Sequence, residues 1–72
     1  MKITYDRDAD ALYIRLRDAP DQVEVARVSE DVACDLDSEG CVAGIEILRA
    51  SALFERPESP SVELEYLAPR TV

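Results

Sequence analysis

Apolar residues recur at every second position in separate runs of this chain, and the runs are joined by sharp acidic turns. Ile3 and Tyr5 alternate with Lys2 and Thr4, and Leu12, Ile14 and Leu16 alternate with Ala11, Tyr13 and Arg15. Successive strand side chains point to opposite faces, so a period of two with β-branched and aromatic residues predicts two half-buried strands. Between them Asp6-Arg7-Asp8-Ala9-Asp10 breaks the pattern with three carboxylates. Asp6 is placed to cap a tight turn through its side-chain oxygen. Facing Tyr5 to Leu12 and Ile3 to Ile14 puts four apolar groups on one side of the hairpin.

Asp18-Ala19-Pro20-Asp21 ends the second strand, since proline lacks a ladder donor. Val23 and Val25 restart the alternation and Val28 falls out of phase, which a bulge near Ala26-Arg27 repairs. Val32, Cys34 and Leu36 then alternate with Ala33, Asp35 and Asp37. Residues 23 to 36 fit one bent strand or two hairpinned ones. Asp37-Ser38-Glu39-Gly40 reads as a reverse turn with glycine accepting a positive φ. A four-residue loop pairs Leu36 with Cys41 and aligns Val32, Cys34 and Leu36 with Ala43, Ile45 and Ile47. A type I turn with a glycine bulge shifts that pairing by one residue. The first register is preferred, because a one-residue slip turns every side chain to the opposite face.

From Leu48 to Glu55 the sequence has good helix formers, predicting one or two helical turns stopped by Pro57. Pro57-Glu58-Ser59-Pro60-Ser61 reads as a linker, and the alternation of Val62, Leu64 and Tyr66 with Glu63, Glu65 and Leu67 as a terminal strand. The predicted organisation is an antiparallel β domain with a short helix over residues 1–55, then a Pro/Ser linker and strand-like tail over 56–72. The predicted fold is mainly β (α+β): a small antiparallel β-meander of four to five strands with one short C-terminal helix.

With 72 residues the core is thin, since a chain near this size buries only roughly 60% of its unfolded surface. Disulfides, metals or self-association usually compensate. Two cysteines and no histidine leave self-association, so a homodimer is expected, built by sheet edges or by exchange of the Val62 to Leu67 segment. No apolar run approaches the roughly 18 residues of a membrane span, and Met1 to Asp6 has no secretory pattern. The expected location is the cytoplasm, with reduced thiols. The net charge of −8 is uneven: residues 1 to 27 carry −1 and residues 28 to 72 carry −7. Such a polyanion repels phosphate backbones, which disfavours nucleic-acid binding by the monomer, and attracts basic proteins.

Candidate chemistry is sparse. Asp35, Asp37, Glu39, Gly40 and Glu46 occupy positions 1, 3, 5, 6 and 12 of a calcium-loop pattern. Such loops lie between helices, whereas both flanks here alternate with period two, so the hairpin turn is the preferred reading. The cluster Asp6, Asp8 and Asp10 has Ala11 where a calcium loop has glycine and Arg17 where it has its last glutamate. Cys34 and Cys41 without histidine do not make a structural zinc site. Lacking histidine, the chain also lacks the usual general base near neutral pH, and a thin sheet offers little cleft to raise a carboxylate pKa. A non-enzyme is expected, with no catalytic, cofactor or metal residues assigned. Arg15 and Arg17 are candidates for a small anion, or for pairing with carboxylates.

Tyr5-Asp6-x-x-Ala9-Asp10-Ala11-Leu12-Tyr13-Ile14-x-Leu16, followed by Asp35-Leu36-Asp37-x-x-Gly40-x-Val42-x-Gly44-Ile45-Glu46-Ile47, resembles the bacterial family catalogued as domain of unknown function 2283. The resemblance spans residues 2 to 51. It implies a small β-rich fold in an intracellular bacterial protein and carries over no catalytic or ligand residues. Some relatives resemble the antitoxin-like half of a two-gene pair beside a small basic protein. The functional expectation is therefore a protein–protein interaction or regulatory module, with a divalent-metal or small-ligand binder using Asp35, Asp37 and Glu46 as the rival.

Overall fold

The structure, a computed structural model, describes residues 1 to 22 and 24 to 69. Five strands form one antiparallel sheet: β1 (Lys2–Asp6), β2 (Ala11–Arg15), β3 (Glu24–Arg27), β4 (Val32–Leu36) and β5 (Val42–Leu48), in the order β1-β2-β5-β4-β3. The path is a hairpin followed by a three-stranded meander whose last strand docks beside β2. Residues 24 to 36 are thus two hairpinned strands, while Val23 lies outside the described residues. The predicted short helix is a single 3-10 turn, Ala50–Leu53, entered through Arg49 in the left-handed region at φ 52°. Four residues are too few to nucleate an α-helix.

The first hairpin has the register that alternation predicts, with Ile3 opposite Ile14 and Tyr5 opposite Leu12. Asp6 Oδ1 accepts hydrogen bonds from the amides of Asp8 (2.9 Å) and Ala9 (3.2 Å), closing the turn as its sequence suggests.

The β4–β5 hairpin corrects the preferred register. Gly40 has φ 81°, and the amide of Asp37 donates to Cys41 O at 2.9 Å, so the turn closes through a glycine bulge and Leu36 pairs with Val42, not Cys41. A second irregularity follows at once: Asp35 pairs with Gly44, leaving Ala43 as an extra residue. Val32 then faces Ile47 and Cys34 faces Ile45. Each one-residue slip alone would turn the apolar set outward, but two in succession restore the face.

Residues 16 to 22 carry the chain from β2 along one end of the sheet to β3. Strands spaced about 4.8 Å apart put β3 about 14 Å from β2, within reach of this segment. Its path is pinned at several points. Leu16 N donates to Ala43 O (2.8 Å), Arg17 pairs with Asp37, Ser38 Oγ donates to Asp21 Oδ2 (2.5 Å) and Gln22 Nε2 donates to Asp35 Oδ1 (3.2 Å).

The predicted strand over Val62 to Leu67 is not formed. After a turn closed by Ser59 N and Arg56 O (3.0 Å), residues 60 to 69 carry no strand, and Val62, Leu64, Tyr66 and Leu67 are exposed. Pro57 and Pro60 lack amide donors and steer the chain off the sheet. The tail's remaining residues, 70 to 72, lie outside the described part.

Among the described residues only Ala33, Ala43, Gly44 and Ala50 are buried, and no large side chain is fully enclosed. The Cα radius of gyration is 14.5 Å, against about 11 Å for a compact domain of this length. A close approach of side chain to backbone lies on the polar face. There the Tyr13 ring crosses Gly44, so that a Cβ at Gly44 would stand 2.6 Å from Tyr13 Cζ. Gly44→Ala is expected to cost about 1–3 kcal/mol in urea unfolding. In a Tyr13→Ala background the same change is expected to cost less than about 0.5 kcal/mol. Equal costs in both backgrounds would show that the ring is not the constraint.

Candidate functional site

Register and alternation divide the sheet into two chemically distinct faces. Ile3, Tyr5, Leu12, Ile14, Val32, Cys34, Leu36, Ile45 and Ile47 share one side. Among the described strand residues, Glu24 at the β3 edge is the only charged one that the register places there. All nine are half-buried. The sheet's own neighbours supply that burial, because no second layer is present among the described residues. Phe54 covers one corner, its ring meeting that of Tyr5 edge-on at 5.1 Å.

The opposite face is largely polar and carries Lys2, Thr4, Tyr13, Arg15, Arg27, Asp35 and Glu46, with Val25 and Leu48 among them. Tyr13 Oη donates to Asp35 Oδ2 at 2.5 Å, over the gap left by Gly44. This hydrogen bond, with burial and the Asp35 charge behind it, raises the Tyr13 phenol above its ordinary 10.0. An open cleft of about 550 Å³ lies beside the pair, lined by Arg15, Arg17, Pro20 and Gln22 among others. The two arginines named as anion candidates both pair with carboxylates: Arg15 with Asp18 at 3.0 Å, and Arg17 with Asp37.

The calcium-like set is not brought together. Asp35 accepts from Tyr13 and Gln22. Asp37 Oδ1 accepts the amides of Glu39 and Cys41, each at 2.9 Å. Glu46 stands mid-strand on β5 opposite Ala33, and the segment is a hairpin turn between two strands. Among the described residues no group of three or more His, Cys, Asp or Glu side chains gathers to hold a metal ion. Cys34 lies on the apolar face and Cys41 in the turn, both as free thiols.

Of the acidic cluster Asp6, Asp8 and Asp10, Asp10 has a role that sequence spacing does not reveal. At φ 50°, it accepts Tyr5 Oη (2.6 Å), Ser51 Oγ (2.6 Å) and Ser51 N (2.9 Å), while its carbonyl accepts Ala50 N (3.0 Å). One residue thus ties the first hairpin to the 3-10 turn and holds Phe54 against Tyr5. Arg49 likewise grips Asp31 in a two-pronged pair at 2.9 and 2.8 Å.

The Ser51 hydroxyl, then the Tyr5 hydroxyl, hold the Asp10 carboxyl below its ordinary 3.8. A depressed folded-state pKa contributes stability that is complete above the unfolded value and lost as pH falls through the folded one. The same contact raises Tyr5 above 10.0, so its contribution stands below pH 10 and is lost as pH rises through the raised value. Asp10→Ala is expected to speed amide exchange at Ser51 and to flatten the acid limb of the stability profile below pH 4. An unchanged acid limb in the variant would remove Asp10 as its source.

No helix among the described residues is long and apolar enough to cross a membrane. No curated protein and no solved structure matches the chain. The family model described as protein of unknown function (DUF2283) matches residues 2–51, from the first residue of β1 to the serine held by Asp10. The match takes in all five strands and the first two residues of the 3-10 turn, and this chain belongs to the DUF2283 family.

Proposed function

We propose that the chain is a non-enzymatic interaction module, antitoxin-like, that acts in the cytoplasm by presenting its tail to a small basic protein. The observation that carries this reading is the state of residues 61 to 69. They are exposed throughout, form no strand, and alternate Val62, Leu64 and Tyr66 with Glu63 and Glu65. An extended segment of this pattern is suited to strand addition at a partner's sheet edge, where main-chain hydrogen bonds give affinity and alternate side chains give selectivity. Carboxylates on the intervening positions favour a partner of positive charge and speed encounter with it. The net charge of −7 over residues 28 to 72 supports the same sign of partner.

Tagged full-length protein in native lysate is expected to retain a small basic protein at low salt and to release it as salt rises and the Debye length shrinks. The double charge reversal Glu63→Lys with Glu65→Lys is expected to abolish that retention. Recovery of nothing by the wild type, or equal recovery by the reversed variant, would contradict the reading.

A further inference from the structure

We infer that the apolar face of the sheet is covered in solution by the same face of a second copy of this chain, two single-layer sheets closing into a two-layer sandwich. Domains are built from at least two packed layers around a core, and the described residues supply only one. Central on that layer lie Ile14 and Ile45, opposite each other on β2 and β5, half-buried and with no layer above them. The accessible surface is 6075 Å², against about 4,450 Å² expected of a compact 8.0 kDa monomer, an excess of about 1,600 Å². The excess is shared between the exposed tail and the uncovered sheet, and a standard stable interface takes about 800 Å² from each partner.

Charge selects the occupant. The inner strands place no ionised side chain on this face, and apart from Glu24 at the β3 edge the carboxylates lie on the opposite face, in the turns and connections and in the tail. A basic partner would set its cations against hydrocarbon here and gain nothing from the net charge of −8. A second copy brings a surface of equal area and apolarity. Its polar face is then turned outward, a full sheet-packing distance of about 10 Å beyond the interface. This pairing uses the faces, not the edges or tail exchange expected from sequence, and it leaves the tail free for the partner proposed above.

Two chains of like charge repel, so added salt is expected to tighten the dimer, the opposite of its effect on a complex with a basic protein. The full chain is expected to sediment at about twice its 8.0 kDa mass and to dissociate on dilution. The native thiols report the face. Cys34 lies on it and Cys41 is exposed in the turn. In peptide-resolved alkylation Cys34 is expected to react about tenfold or more slowly than Cys41 in the dimer, the gap narrowing on dilution. Ile45→Glu is expected to yield a monomer; where that variant does not fold, the wild-type thiol rates decide alone. A monomeric mass at every concentration would overturn the inference. So would a dimer in which the Cys34 rate is independent of concentration, since that dimer would be joined at its edges.

Discussion

Segregation of charge by strand alternation is the constraint on which the rest of this structure depends. Apart from Glu24 and the bulge at Ala43, the ladders from Ile3 to Ile47 contribute one side chain to a hydrocarbon face and the next to the opposite, largely polar one. Among the described residues, one sheet and one 3-10 turn supply no second layer over the hydrocarbon side beyond the corner under Phe54. Burial of apolar surface is the dominant favourable contribution to folding, and here the fold completes only part of it. The unburied remainder is what motivates the association proposed for this scaffold.

The polar contacts are placed where alternation gives no stability. The crossover from β2 to β3 buries little, and Arg17, Asp21 and Gln22 fasten it to residues at the β4–β5 end. The 3-10 turn buries Ala50 alone, and Asp10 holds it by its side chain and its carbonyl. Exposed ion pairs contribute little individually, so their part here is to fix path and register, with the sheet supplying the energy.

Much of the sheet was legible in the sequence because a strand's period is local. The Ile3–Ile14 and Tyr5–Leu12 pairing and the capping of the first turn by Asp6 follow from residues within a few positions of one another. The β4–β5 register was not legible. Two bulges, one at Gly40 and one at Ala43, cancel in their effect on facing, so the apolar pattern is the same with or without both. Gly44 carried a partial signal, since glycine inside a strand marks a close approach, but nothing local identifies the Tyr13 ring as what approaches. The contact of Asp10 with Ser51 joins residues 41 apart and left no trace in composition or spacing. The Val62 to Leu67 segment shows the converse case. Its alternation is as regular as that of β2, yet an extended segment becomes a strand only where an edge receives it.

The most direct measurement of the central claim is an isotope-filtered NOE experiment on an equimolar mixture of labelled and unlabelled chains. Cross-chain contacts from the methyl groups of Ile14 and Ile45, with none from Thr4 on the opposite face, are the expected result. Cross-chain contacts confined to Thr4, to β1 or β3 backbone, or to the tail would contradict the account, because the hydrocarbon face would then remain in water.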